Sequence, residues 1–248
     1  MSPPATRRGS NAYDHRVYWH VAEASAHEAF AYRLLAPATI DAGMTYPVVL
    51  FLHGAGERGA NNEAQLKYFP VWMASAAMRE RFPCFVIAPQ CREGTAWSDV
   101  DWGSVDSPAM PEKPTDQLRA ASGILDTVIE MLPVDPNRVY LTGLSMGGYG
   151  AWELAVRQPE RFAAVVPICG GGDESQAKRL ASLPIWAWHG EADDVVPVIR
   201  SRRMIDAVKK AGGSPRYTEL PGVGHDSWTP AYTRDDGAIP WMFEQVRK

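Results

Sequence analysis

Val139-Tyr140-Leu141-Thr142-Gly143-Leu144-Ser145-Met146-Gly147-Gly148 decides the fold of this chain. It reads as a strand that enters Gly-x-Ser-x-Gly and leaves as a helix. In that context the pattern is a nucleophile elbow, a sharp turn that pushes a serine Oγ out over the edge of a sheet. The five-residue pattern is weak alone, so its flanks carry the weight. A Cβ at Gly143 or Gly147 would collide where strand and helix close on each other, and glycine tolerates the backbone angles there. Ser145 is therefore a candidate nucleophile, and acyl transfer the candidate chemistry.

Outward from the elbow, strand and helix alternate from residue 48 to the end. Val48–Leu52 and Cys84–Ala88 are continuous apolar runs, as expected of strands buried on both faces. Further strands are expected at Arg138–Thr142, Phe162–Ile168, Ile185–Trp188 and Arg216–Leu220. Asp116–Leu132 places Leu118, Ala121, Leu125, Val128, Ile129 and Leu132 at three- and four-residue steps, which marks an amphipathic helix. Thr115 or Asp116 can cap it and Pro133 ends it. Met146–Arg157, Ile199–Lys210 and Ile239–Val246 are further helices, and Asn62–Phe82 is helical with an interruption at Pro70. Arg16–Ala22 and Glu28–Leu35 read as an antiparallel pair. The alternation implies an α/β fold with a mostly parallel twisted sheet and helices on both faces. Residues 1–12 are expected to be a flexible arm and 13–248 a single domain. The stretch 89–114 is longer than ordinary connections, and such loops are often functional.

Composition narrows the function classes. With 46% hydrophobic and 22% charged residues in 248, the chain reads as an ordinary globular protein. A net charge of −4 gives no basic surface for nucleic acid or anionic membrane. No apolar run is long enough to span a bilayer, and no apolar segment follows the charges near the N-terminus, so no secretory signal is read. Three cysteines do not make a disulfide framework. A reduced, cytoplasmic protein is the expectation. Oligomeric state is not readable.

A serine hydroxyl needs a base at hydrogen-bond distance, and the base needs an orienting group. Elbow serines have these partners in the order serine, acid, histidine, each on a loop after a strand. His225 follows the last expected strand in Leu220-Pro221-Gly222-Val223-Gly224-His225, and the glycines leave that loop free to carry the ring over Ser145. His189, at a strand end, reads as a packing or loop hydrogen-bonding residue. The acid belongs in the loop His189-Gly190-Glu191-Ala192-Asp193-Asp194-Val195-Val196-Pro197, where Glu191, Asp193 and Asp194 compete. Two backbone N–H groups are needed for the developing oxyanion. Met146 supplies one, and the loop His53-Gly54-Ala55-Gly56-Glu57-Arg58-Gly59 the other, with Ala55 first and Gly56 second. His53 reads as a brace of that loop.

Gly54-Ala55-Gly56-Glu57-Arg58-Gly59 also matches the dinucleotide pattern Gly-x-Gly-x-x-Gly. That motif needs an acid at the end of the next strand to hold a ribose, and that strand ends in Pro89-Gln90. No His-Glu-x-x-His or Cys-x-x-Cys is present, so neither cofactor nor metal is expected.

With these segments in place the chain resembles the α/β-hydrolase superfamily, in the predicted peptidase or esterase branch related to polyhydroxybutyrate-depolymerase-like and feruloyl or acetyl-xylan esterases, with dienelactone hydrolase further off. The resemblance rests on Phe51–Gly59, Ala88–Cys91, Leu141–Gly150, Pro167–Gly172, Trp188–Asp193 and Pro221–Asp226, and covers residues 45–248. It implies an α/β-hydrolase fold and a carboxylesterase-type serine hydrolase acting through an acyl-enzyme. The family pattern His-Gly-x-x-Asp-x-Val-Val-Pro puts the acid on Asp193; many relatives have proline where this chain has Asp194. Expected substrates are small or carbohydrate-linked acyl esters. Gln90, Trp97, Trp102 and Trp228 are candidate cleft residues, the tryptophans as platforms for a flat acyl or sugar group. A serine peptidase of the same fold is the alternative, and a catalytically inactive binding protein a further one.

Overall fold

The computed structural model describes residues 12–21 and 27–247. The expected arm falls outside these residues except for Ala12. Among these residues eight strands form one sheet: β1 (Asp14–Val21), β2 (His27–Leu35), β3 (Tyr46–Leu52), β4 (Phe85–Pro89), β5 (Val134–Leu144), β6 (Ala164–Ile168), β7 (Trp186–Gly190) and β8 (Arg216–Leu220). Their order is β1-β2-β4-β3-β5-β6-β7-β8. β1–β2 and β2–β4 are antiparallel, and β4, β3, β5, β6, β7 and β8 run parallel. This is the α/β-hydrolase fold.

Among the described residues, seven α-helices accompany the sheet: α1 (Phe69–Met73), α2 (Ala76–Arg81), α3 (Asp116–Met131), α4 (Met146–Arg157), α5 (Ile199–Lys210), α6 (Trp228–Thr233) and α7 (Ala238–Phe243). All seven residues of β3 are buried, and alternate side chains enter separate cores. Val48, Leu50 and Leu52 pack with Leu118, Ile124 and Leu125 of α3, Trp152 of α4 and Met204 of α5. Val49 and Phe51 pack with Phe69 of α1, Tyr232 of α6 and Ile239 of α7. A strand with two apolar faces needs cover on both, and the helices divide accordingly. Truncating Leu50, fully buried, to alanine would cost about 2–5 kcal/mol. Thr115 caps α3 by accepting from the Leu118 N–H at 3.1 Å.

Three segments differ from expectation. Asn62–Phe82 is a short 3-10 turn at Ala64–Leu66 followed by α1 and α2. Pro70 does not interrupt a helix: it lies in the first turn of α1, where its missing N–H has no intrahelical role. The break comes at Ser75, whose hydroxyl caps α2. β5 begins at Val134, ahead of Asp135-Pro136-Asn137, because Val134 pairs with Tyr46 across a register irregularity. The helix α6 was not expected. No described helix is long and apolar enough to cross a membrane.

Because β3 and β5–β8 are parallel, their carboxyl ends lie on one edge of the sheet. Ligands of open α/β sheets bind at such edges, and Ala55, Ser145, Asp193 and His225 all sit on connections leaving it.

Candidate active site

Ser145 lies between the end of β5 and the start of α4 with φ 54° and ψ −119°, a conformation that non-glycine residues avoid. Close backbone packing imposes it. A Cβ on Gly147 would strike the Leu52 carbonyl oxygen, and one on Gly143 the Gly147 carbonyl. The Ser145 N–H is held by Ile168 O at 2.9 Å. The serine is 8% exposed, so its environment is largely dry.

His225 Nε2 lies 2.9 Å from Ser145 Oγ, and His225 Nδ1 lies 2.8 Å from Asp193 Oδ2. The other carboxylate oxygen, Oδ1, accepts the N–H groups of Val195 and Val196, both at 2.9 Å. Burial pushes the Asp193 carboxyl up. Donation from His189, His225, Val196 and Val195 outweighs it and holds the group well below the usual carboxylate range. Asp194 is exposed, and Glu191 accepts the Gly222 N–H at 3.0 Å. The acid and histidine loops also touch through glycine: a Cβ on Gly190 would strike the Gly224 carbonyl. Trp228 packs edge-on to the His225 ring at 5.2 Å.

Met146 is the first residue of α4, and Ala55 the first of a 3-10 turn at Ala55–Glu57. First-turn N–H groups have no intrahelical acceptor, so the backbone donors of Met146 and Ala55 are unclaimed by their own helices. The Ala55 loop is held from below. His53 Nδ1–H donates to Gly54 O at 2.6 Å, and Nε2 accepts the Cys91 N–H at 2.9 Å. These partners fix a neutral tautomer. Burial, with a smaller push from Arg58, lowers the His53 pKa to about 4 against the Gly54 hydrogen bond.

Two of the cleft candidates are corrected. Trp97 is 1% exposed, donates to His53 O at 2.9 Å and packs against the His53 ring; it anchors the 89–114 stretch and lines no open cleft. Gln90 is buried, accepts the Asn62 N–H and donates to Glu57 O and Asn61 Oδ1. It ties loops together. Trp102 lines a cavity of about 510 Å³ with Arg58, Thr95, Ser98 and Asp99. Ser145 and His225 are not among its lining residues.

Among the described residues, Cys169, Asp193 and His225 place possible ligand atoms within 4.8 Å of one another. They do not suit a metal. Asp193 and His225 are committed to each other, and burial, reinforced by Asp193, pushes the Cys169 thiol far up, which disfavours the thiolate a metal needs.

The model of the phospholipase/carboxylesterase family matches residues 41–232. The chain belongs to that family. Within and around it, a thermostable esterase of known structure is 39% identical with a TM-score of 0.84, over 94% of this chain and 64% of its own. This chain thus spans somewhat under two thirds of that esterase. A rice (Oryza sativa subsp. japonica) protein named a probable inactive carboxylesterase is 26% identical over 71% of this chain and 77% of its own length. Feruloyl esterase D of Neurospora crassa is 33% identical over 44% of this chain and 38% of its own.

The residue that sequence reasoning undervalued is His189. It is fully buried and its Nε2 lies 3.2 Å from Asp193 Oδ2. A histidine at a strand end, four residues before a candidate acid, was the available signal.

Proposed function

We propose that this phospholipase/carboxylesterase family member is a serine carboxylic-ester hydrolase in which Ser145, His225 and Asp193 act as a triad. The observation that carries the reading is the continuous relay from Ser145 Oγ to His225 Nε2 at 2.9 Å and from His225 Nδ1 to Asp193 Oδ2 at 2.8 Å. His225 takes the serine proton as Oγ attacks the ester carbonyl. The tetrahedral oxyanion is held by the N–H groups of Met146 and Ala55, each worth roughly 3–4 kcal/mol in the transition state. Asp193 fixes the His225 tautomer and stabilises its charged form. His225 then protonates the leaving alcohol, and the acyl group remains on Ser145. Water, deprotonated by the same ring, releases the acid and restores the serine.

Small or carbohydrate-linked acyl esters are the proposed substrates, on the likeness to a feruloyl esterase. Ser145→Ala should abolish hydrolysis of aryl esters and labelling by a fluorophosphonate probe while the folded spectrum persists. Undiminished hydrolysis in that variant would falsify the assignment. Absence of labelling in the wild-type protein would instead favour an inactive protein, as the rice relative is named.

A further inference from the structure

We propose that His189 is a positioning residue for the triad acid: its Nε2–H, which donates to Val196 O, also stands 3.2 Å from the carboxylate oxygen that His225 uses and so shares the charge of Asp193 between two imidazoles. The proposal rests on the Ser145–His225–Asp193 reading.

The argument is a count of protons. His189 Nε2 faces Val196 O at 3.0 Å and Asp193 Oδ2 at 3.2 Å. Both are acceptors, so Nε2 must carry a hydrogen. On the other side of the ring, Nδ1 lies 2.8 Å from Ser201 Oγ, and that hydroxyl lies 2.7 Å from Gly170 O. Ser201 has one proton and two claimants. If it goes to Nδ1, the ring is neutral and the Gly170 carbonyl loses that donor. If it goes to Gly170 O, Nδ1 must itself donate, and the ring becomes an imidazolium against Asp193. Either arrangement keeps the proton on Nε2, so the contact with Asp193 holds in both.

Asp193 then receives Val195 and Val196 on Oδ1 and His225 on Oδ2, with the His189 Nε2–H 3.2 Å from the same Oδ2. A carboxylate filled in this way cannot rotate, which fixes the direction it offers His225. The same donation withdraws charge from the His225 bond. Other ionisable groups around the His189 ring are Glu219, its register partner on β8, which is paired with Arg202. Cys169 follows β6, Tyr149 stands on α4, and Arg200 on α5 is buried. Glu191 and Asp194 share the acid loop, and Asp226 follows His225.

Removing the His189 donor leaves a more negative Asp193 facing His225, which favours the protonated His225 ring. His189→Leu should therefore move the acidic limb of the kcat/KM profile on an aryl ester upward by about one pH unit. It should also lower the plateau on the order of 10²-fold through loss of alignment. His189→Gln, whose amide can donate from nearly the same place, should restore most of both. A limb that stays put or moves to lower pH in the leucine variant, or a glutamine variant no better than leucine, overturns the proposal. Should the leucine variant not fold, imidazole ¹⁵N–¹H spectra of the wild-type protein decide. His189 Nε2 is expected to be protonated from pH 5 to 8, and a bare Nε2 there overturns the proposal. Failure of the triad reading looks different: Ser145→Ala would keep its activity whatever the His189 spectrum.

Discussion

Two buried histidines stand at the carboxyl ends of strands along the same edge of the sheet, and their surroundings set them apart. His53, after β3, has a carbonyl on one nitrogen and an amide N–H on the other, so a neutral ring satisfies every partner. His189, the penultimate residue of β7, meets a carbonyl and a carboxylate on one nitrogen and a shared hydroxyl on the other. The first is a static brace under a loop that presents a backbone N–H. The second stands 3.2 Å from the Asp193 carboxylate, the acid of the proposed triad. Burial alone therefore does not assign a histidine its job; the donors and acceptors at its two nitrogens do.

The contrast can be broken in order of effect. The largest change should come from the acid that His189 touches. Asp193→Asn is expected to lower kcat by about 10⁴-fold with the fold intact. A steady-state comparison with Asp194→Asn checks it, since that exposed neighbour should change the rate less than about twofold. A greater loss in the Asp194 variant would move the orienting role one residue along.

Next comes the brace. His53→Leu leaves the Cys91 N–H and the Gly54 carbonyl without their ring partners, at about 2–4 kcal/mol of stability, readable by urea unfolding. The His53 ring has a further, smaller signature in pH. It is held neutral with a native pKa of about 4, against about 6.5 for an unfolded histidine. The unfolded chain binds this proton more readily, so the contribution is complete above pH 6.5 and is lost as pH falls through about 4. It amounts to at most about 3 kcal/mol. Urea midpoints of wild type and His53→Leu should converge across that window, and parallel curves would contradict the assignment.

The elements that define the site were legible because their signals are local. An apolar run such as Val48–Leu52 has to be covered on both faces, and the glycines around Ser145 leave room for one kind of turn. The loop after β7 offered three acids; the family pattern pointed to Asp193, and its contact with His225 sets it apart from its exposed neighbour Asp194. The segment after β4 was less legible. Trp97 and Gln90 read as cleft residues because an aromatic or an amide in a long loop carries no mark of which way it points. Here both turn inward, Trp97 to the His53 carbonyl and Gln90 to Asn62 and Glu57. The strand order was hidden too, since β4 pairs with β2 and β3 through contacts far apart in sequence. The helix α6 carries Pro230 and follows a glycine-bearing loop, so its composition argues for a turn.

The turn at Ser145 has a last consequence. Its φ of 54° is strained for a residue with a Cβ and free of strain for glycine. Ser145→Gly should thus melt a few degrees higher than the wild-type protein, by about 1 kcal/mol, while losing all chemistry.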